Sequence, residues 1–225
     1  MILTIGEIIG ETDRRRVRDI ADGLSWRDGK ISAGAAARAA KVNEQADLGS
    51  VAGRKLIDIV MTRLGENAVL RAAARPRAFS NLLLSRTVEG GGYGPHTDNA
   101  IMRKGADRLR TDLSFTLFLS DPEDYDGGAL RVHHAGHVQE VKPAAGDLVL
   151  YPSTSVHEVT PVRRGVRLAC VGWIESQIAE QDRRELLFDL ENLRASLRES
   201  GGANAAELIT LDKSIANLLR MWARP

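Results

Sequence analysis

Hydrophobic positions along the chain change their period twice. Over residues 12–24, Val17, Ile20 and Leu24 recur at three- and four-residue spacing, the stripe of an amphipathic helix, with Thr12 or Asp13 placed to cap it. Residues 50–64 repeat the pattern through Val51, Leu56, Ile59, Val60 and Leu64, with Ser50 as N-cap. Asp28-Gly29 marks a turn between the two. The first region, 1–77, therefore reads as mostly helical and packed on a core that follows it.

From 78 to 176 the period shortens towards two. "FSNLLLSRTV", "LSFTLFLS", "GALRVHH", "HVQEVK", "DLVLYP", "HEVTPV" and "VRLACVGWI" are short β-rich runs separated by "EGGG", "DPEDYDGG", "AG", "PAAG" and "RRG". Short strands joined by tight turns predict an antiparallel sandwich or barrel. Helical spacing returns over 177–225. Leu186, Leu187, Leu190, Leu193 and Leu197 line one face; after a break at Gly201-Gly202, Leu208, Leu211, Ile215, Leu218, Leu219 and Trp222 line another. This predicts a helical hairpin, with enough apolar surface to suit a homodimer through these helices. The fold class is α+β.

Composition narrows the partners. With 31 basic and 30 acidic residues the formal charge is +1, which gives no electrostatic footprint for nucleic acid or an anionic membrane. Cys170 is the sole cysteine, so no intrachain disulfide forms and a reducing, cytoplasmic compartment is the simplest expectation. The N-terminal residues lack a basic stretch before an apolar run, and no run is long enough to span a bilayer.

The chemistry concentrates in "EGGGYGPHTDNA", residues 89–100. His96 and Asp98 are two apart, so on a strand both project to one side, the arrangement of a chelating pair. Gly90, Gly91, Gly92 and Gly94 permit a tight turn and a close backbone approach to the mouth of such a site. His157, between two predicted strands, completes a set of two imidazoles and one carboxylate. Bound on one face, that set suits non-haem Fe(II) and also hydrolytic zinc. Arg167 follows ten residues after His157, and "RRG" at 163–165 reads as a three-residue hairpin loop ending in a glycine with positive φ. In that register Val162 pairs with Val166, Pro161 with Arg167 and His157 with Val171, leaving His157 and Arg167 on one interior face. The two levels are then about 13 Å apart, the reach of a five-carbon diacid held by the metal at its keto-acid end and by the guanidinium fork at the other. The competing structural reading gives Arg167 an internal carboxylate, Asp147 or Glu158.

His-x-Asp, a distal His and an Arg ten residues on, carried on a β-rich frame, resemble the Fe(II)/2-oxoglutarate-dependent dioxygenases. "GGGYGPHTDNAIM", "LSFTLFLSDPEDYDGGALRV", "GDLVLYPSTSVHEVTPVRRGVRLACVGWIES" and "WRDGKISAGAAARAAKVNEQ" are similar to the bacterial PKHD-type hydroxylases, relatives of prolyl and lysyl hydroxylases. The resemblance covers nearly the whole chain. It implies a double-stranded β-helix (jelly-roll) core over 78–176 with N-terminal helices and a C-terminal helical hairpin. It also implies Fe(2+) held by His96, Asp98 and His157, 2-oxoglutarate held by Arg167, and L-ascorbate keeping the iron reduced. The expected activity is hydroxylation of a small-molecule, amino-acid or peptidyl substrate by O2, with decarboxylation of 2-oxoglutarate to succinate. An aspartate at position 98, where halogenating relatives carry a small residue, favours hydroxylation over halogenation. One departure is the threonine of Arg86-Thr87, where the family usually has a tyrosine: either Thr87 substitutes in holding the cosubstrate or another group acts. Ala169 offers no hydroxyl, and Tyr93 is a candidate that otherwise packs beside the metal.

Other residues compete. His133, His134 and His137 in "HHAGH" have the look of a second metal cluster, but Ala135-Gly136 reads as an exposed hairpin turn, and the rims of such turns are solvated. Cys170 falls on the strand face opposite Arg167 and reads as packing. Two other functions fit the ligand set: a non-catalytic sensor of iron or 2-oxoglutarate, and a zinc hydrolase, which leaves Arg167 unexplained.

Overall fold

The computed structural model describes residues 1–32, 34, 38–105, 107–201 and 204–224. Five helices occupy Glu11–Asp22 (α1), Val51–Glu66 (α2), Ala68–Ala74 (α3), Gln181–Ser200 (α4) and Ala205–Trp222 (α5). The strands form two principal antiparallel sheets. The major sheet runs Leu3–Ile5, Leu148–Pro152, Leu113–Phe118, Arg167–Ser176, Leu83–Thr87, Glu44–Ala46 and Trp26–Asp28, with Pro76–Phe79 also paired to Arg167–Ser176. The minor sheet runs His137–Val141, Leu130–His134, His157–Val159, Gly92–His96 and Lys41–Val42.

Period two explains why the major sheet lies between layers. Every residue of Leu113–Phe118 and of Leu148–Pro152 is buried, so both faces are covered. Leu148 and Leu150 join Leu117, Cys170 and Ile174 in a core with Leu56, Val60 and Leu64 of α2 and Leu70 of α3. Val149 and Tyr151, pointing the other way, join Phe118 in a second core against Leu130 and Val132 of the minor sheet. Two facing antiparallel sheets with helices on the outer face of one form the α+β jelly-roll architecture.

Helix α2 starts where expected, with the Ser50 hydroxyl accepting from the Gly53 N–H at 3.0 Å. Helix α1 does not: its N-cap is Gly10, and neither Thr12 nor Asp13 caps it. The mostly helical reading of the first region also needs correction, because Leu3–Ile5, Trp26–Asp28, Lys41–Val42 and Glu44–Ala46 are strands that extend both sheets. Strands this short, two or three residues, carry too little alternation to register as a period.

The C-terminal hairpin forms as predicted. Ile215 of α5 and Leu187 of α4 are buried against Ile178, with Leu190, Leu211, Leu218, Leu219 and Trp222 packed around them. Most of the apolar surface that suggested a second subunit is thus covered within the chain, although Leu186 and Leu193 are exposed. Gly201 ends α4 at φ 60°, while Gly202 of the predicted break lies outside the described residues. No helix among the described residues is long and apolar enough to cross a membrane.

Candidate active site

His96 ends the strand Gly92–His96, and His157 opens the strand beside it; the two are register partners. Asp98 lies just past the end of its strand, so the chain and not the pleat carries its carboxylate back beside them. One ligand atom of each of His96, Asp98 and His157 falls within 4.8 Å of the others, the only such group of three among the described residues. Asp98 Oδ2 is 3.6 Å from His157 Nε2.

The tautomers are set by backbone. His96 Nδ1 donates to the Gly94 carbonyl at 2.8 Å and His157 Nδ1 to that of Ser155 at 3.1 Å, which leaves both Nε2 atoms unprotonated. Burial, reinforced by the neighbouring His157, holds the His96 imidazolium down to about 4, so the ring is neutral at physiological pH. Asp98 Oδ2 accepts from the Ser114 hydroxyl at 2.6 Å, and Ser114 and Ser153 share a further hydrogen bond at 2.7 Å. Two imidazoles held at Nδ1 by backbone carbonyls and a hydrogen-bonded carboxylate form a donor set that fits a divalent ion of the first transition row.

Arg167 is reached differently from the way the sequence predicted. His157–Val159 and Arg167–Ser176 are not hairpin partners: His157 pairs with Val132 and His96 in the minor sheet, Arg167 with Thr87 in the major sheet. Gly165 does have positive φ, at 78°, but Val162–Gly165 pairs with Tyr125–Gly127 and carries the chain from one sheet to the other. The two residues share the interior because their sheets face each other. Both line one cavity of about 340 Å³, with His96, Asp98, Thr87 and Trp173.

The Arg167 guanidinium is 2% exposed, and its Nε and Nη2 have no hydrogen-bond partner. Neither Asp147 nor Glu158 supplies one: Asp147 accepts from the Glu7 N–H, and Glu158 sits by Arg131 and His133. Phe118 lies 5.0 Å beneath the guanidinium carbon. The buried Tyr125 and Tyr151 phenols are the ionisable groups that face it, and burial raises the pKa of both. An unpaired buried charge costs several kcal/mol, and a carboxylate ligand would relieve it.

A model of the 2OG-Fe(II) oxygenase superfamily matches residues 82–175, and one of the PKHD-type hydroxylase C-terminal domain matches 182–224. A PKHD-type hydroxylase of Hyphomonas neptunium (strain ATCC 15444) is 45% identical over 222 residues, covering 99% of each chain. One of Synechococcus sp. (strain JA-2-3B'a(2-13)) is 42% identical over 224 residues, again 99% of each. The chain belongs to the PKHD-type hydroxylases. As such it is an Fe(II)/2-oxoglutarate-dependent dioxygenase. The fold is shared with a prolyl hydroxylase from Trichoplax adhaerens, at TM-score 0.54 and 17% identity over 78% of this chain and 83% of that one. It is shared too with the viral collagen prolyl hydroxylase of Paramecium Bursaria Chlorella virus-1, at TM-score 0.54 and 14% identity over 78% and 96%.

Around the triad and Arg167 of this hydroxylase stand residues that sequence reasoning did not single out. Tyr151 packs edge-on against the His157 ring at 5.0 Å, and Lys41, Asn43, Gln45, Ser114 and Thr116 line the cavity. Their signal was period two: polar side chains at 41, 43 and 45, and hydroxyls at 114 and 116 inside the otherwise apolar "LSFTLF". Tyr93 stacks on His96 with centroids 3.6 Å apart, beside the triad. Thr87 is buried and faces Arg167 in register. Gly91 and Gly92 accommodate neighbouring backbone, since a Cβ would lie 2.7 Å from the Val42 carbonyl oxygen and 3.0 Å from that of Val159, while Gly90 takes a turn at φ +79°. His134 and His137 flank the Ala135-Gly136 turn as predicted, and Cys170 is fully buried in the core.

Proposed function

We propose that this dioxygenase hydroxylates its substrate while 2-oxoglutarate is decarboxylated to succinate. His96, Asp98 and His157 hold the ferrous ion, and Arg167 holds the distal carboxylate of 2-oxoglutarate. The observation that carries the assignment is the buried guanidinium with two unpartnered nitrogens on the wall of the cavity that also holds the triad.

When bound, iron and 2-oxoglutarate supply oxygen activation: one oxygen atom of O2 enters the substrate as hydroxyl, the other enters succinate, and CO2 leaves. The protein's part is positional. The two histidines present bare Nε2 atoms because their Nδ1 protons are engaged by backbone carbonyls. Ser114 fixes the carboxylate oxygen of Asp98 that lies nearest His157. Arg167 offers a planar fork, and Thr87, its register partner, lines the same cavity. Residues 78–176 are the catalytic body in this reading, 1–77 extends its sheets, and 177–225 is an appendage. Ascorbate as the iron reductant and a cytoplasmic setting belong to the same proposal.

Anaerobic titration of metal-free protein with Fe(II) and then 2-oxoglutarate tests it. The weak visible charge-transfer band of a chelated 2-oxo acid is expected in the wild type, lost in His157→Ala and weakened in Arg167→Ala. No band, alongside tight zinc binding, would overturn the assignment. Succinate release matched to product separates an oxygenase from a sensor.

A further inference from the structure

Lys41 is a second buried cation on the same cavity. Its side chain comes from the edge strand Lys41–Val42, opposite Tyr93 in register, and the residue is 5% exposed. The ammonium donates to the Ser32 hydroxyl oxygen at 2.9 Å, which the Gln45 amide also uses at 2.8 Å, while the Ser32 hydroxyl itself donates to the Gly29 carbonyl. Lysine has three N–H donors, so two remain. Among the described residues no carboxylate lies within ion-pair distance of it. The acids nearest in charge terms are Asp98, which belongs to the triad, and Asp28, which accepts from the Lys30 amide. The Tyr93 ring, 4.9 Å away, supplies only a cation–π contact.

Charge counting separates Lys41 from Arg167. Given the assignment above, the ion's two positive charges and that of Arg167 are cancelled by Asp98 and the two carboxylates of 2-oxoglutarate. Among the other side chains lining the cavity, only Lys41 then carries a formal charge. The Trp173 indole N–H, buried on the same cavity and without an acceptor, adds a second donor. Both groups call for a ligand rich in acceptors, and a desolvated cation favours an anionic one.

We propose that Lys41 receives a carboxylate of the substrate to be hydroxylated, so that the enzyme selects acids over their neutral amides. This rests on the oxygenase reading of the site. Lys41 is then a specificity-determining residue, and 2-oxoglutarate does not depend on it.

The test uses full-length protein loaded with Mn(II), which does not turn over, and saturating 2-oxoglutarate. Calorimetric titration with N-acetylglycine and with N-acetylglycinamide compares a carboxylate with its uncharged isostere. The acid is expected to bind at least about tenfold more tightly to wild type. Lys41→Met should abolish that preference with 2-oxoglutarate affinity within about twofold of wild type, and Lys41→Arg should restore it. Equal affinity for acid and amide, no binding of the acid, or loss of 2-oxoglutarate from Lys41→Met would each overturn the proposal. Failure of wild type to bind 2-oxoglutarate at all would instead sink the oxygenase assignment.

Discussion

His96 and His157 stand opposite each other across adjacent strands of the minor sheet, with ring centroids 4.2 Å apart. Sheet register alone therefore fixes two members of the triad. Asp98 lies outside the pleat, and its Oδ2 is steadied from the major sheet by Ser114. Removing that hydroxyl should loosen the one ligand that the strand pairing does not control. Ser114→Ala is expected to fold normally and to lose about tenfold in affinity for Fe(II) or Mn(II), measured by metal titration. Unchanged affinity would mean that the loop holds Asp98 by itself.

Arg167 should oppose stability while serving ligand binding. Buried without an ion pair, it is a charge whose desolvation the Phe118 ring and the Tyr125 and Tyr151 phenols offset only in part until a carboxylate arrives. Arg167→Leu is therefore expected to melt about 2–4 °C higher than wild type in the absence of ligand. The same variant should show no thermal gain on adding 2-oxoglutarate with Mn(II), whereas wild type gains. A lower melting point for the metal-free variant would show that the guanidinium packs better than its missing partners imply.

Most of what was legible in the sequence was local. The triad, Arg167 and the strand runs were readable because ligand chemistry and period two are properties of neighbouring residues. The turn at Gly165 was readable for the same reason, since positive φ favours glycine. The partner of each strand was not. "HEVTPVRRGVRLACV" has the turn chemistry of a hairpin, yet its two halves sit in opposite sheets because the intervening residues pair with Tyr125–Gly127. Pairing at that distance along the chain is decided by which faces can be buried, as Val132 beside His157 and Leu117 beside Cys170 show. Lys41, Asn43 and Gln45 alternate with period two, but over five residues split between two very short strands, Lys41–Val42 and Glu44–Ala46, that alternation does not stand out from its surroundings.

Gly128 links that crossover to the site. It has φ +62°, and a Cβ there would lie 2.9 Å from the Tyr125 ring and 3.1 Å from Arg167 Cδ. Gly128→Ala should cost about 1–3 kcal/mol in unfolding free energy through backbone strain alone. Because the methyl group also presses on the Arg167 stem, 2-oxoglutarate affinity should fall with it, while Mn(II) affinity holds. Urea unfolding and the two titrations separate these effects. Reduced stability with unchanged 2-oxoglutarate binding would mean that the arginine stem gives way freely.

Lys41 should leave a signature in the pH dependence of stability. Burial lowers its pKa from 10.5 to about 8, opposed by Asp98 and Asp28. The unfolded chain therefore binds more protons than the folded one between those two values, and stability from this group rises with pH across that window. Below pH 8 both states are protonated and the full cost of burying the ammonium is present; above 10.5 both are neutral and it is gone. Cys170 and Tyr93, both held up to about 12, act in the opposite sense once the unfolded thiol ionises above 9 and the unfolded phenol above 10. Both are common to wild type and variant, so the difference between the two proteins isolates Lys41. Urea unfolding in the presence of a chelator should find Lys41→Met more stable than wild type at pH 7.5, with the advantage shrinking steadily towards pH 10. Parallel curves for the two proteins would mean that the ammonium is hydrated in solution, and its claim to a substrate carboxylate would weaken with it.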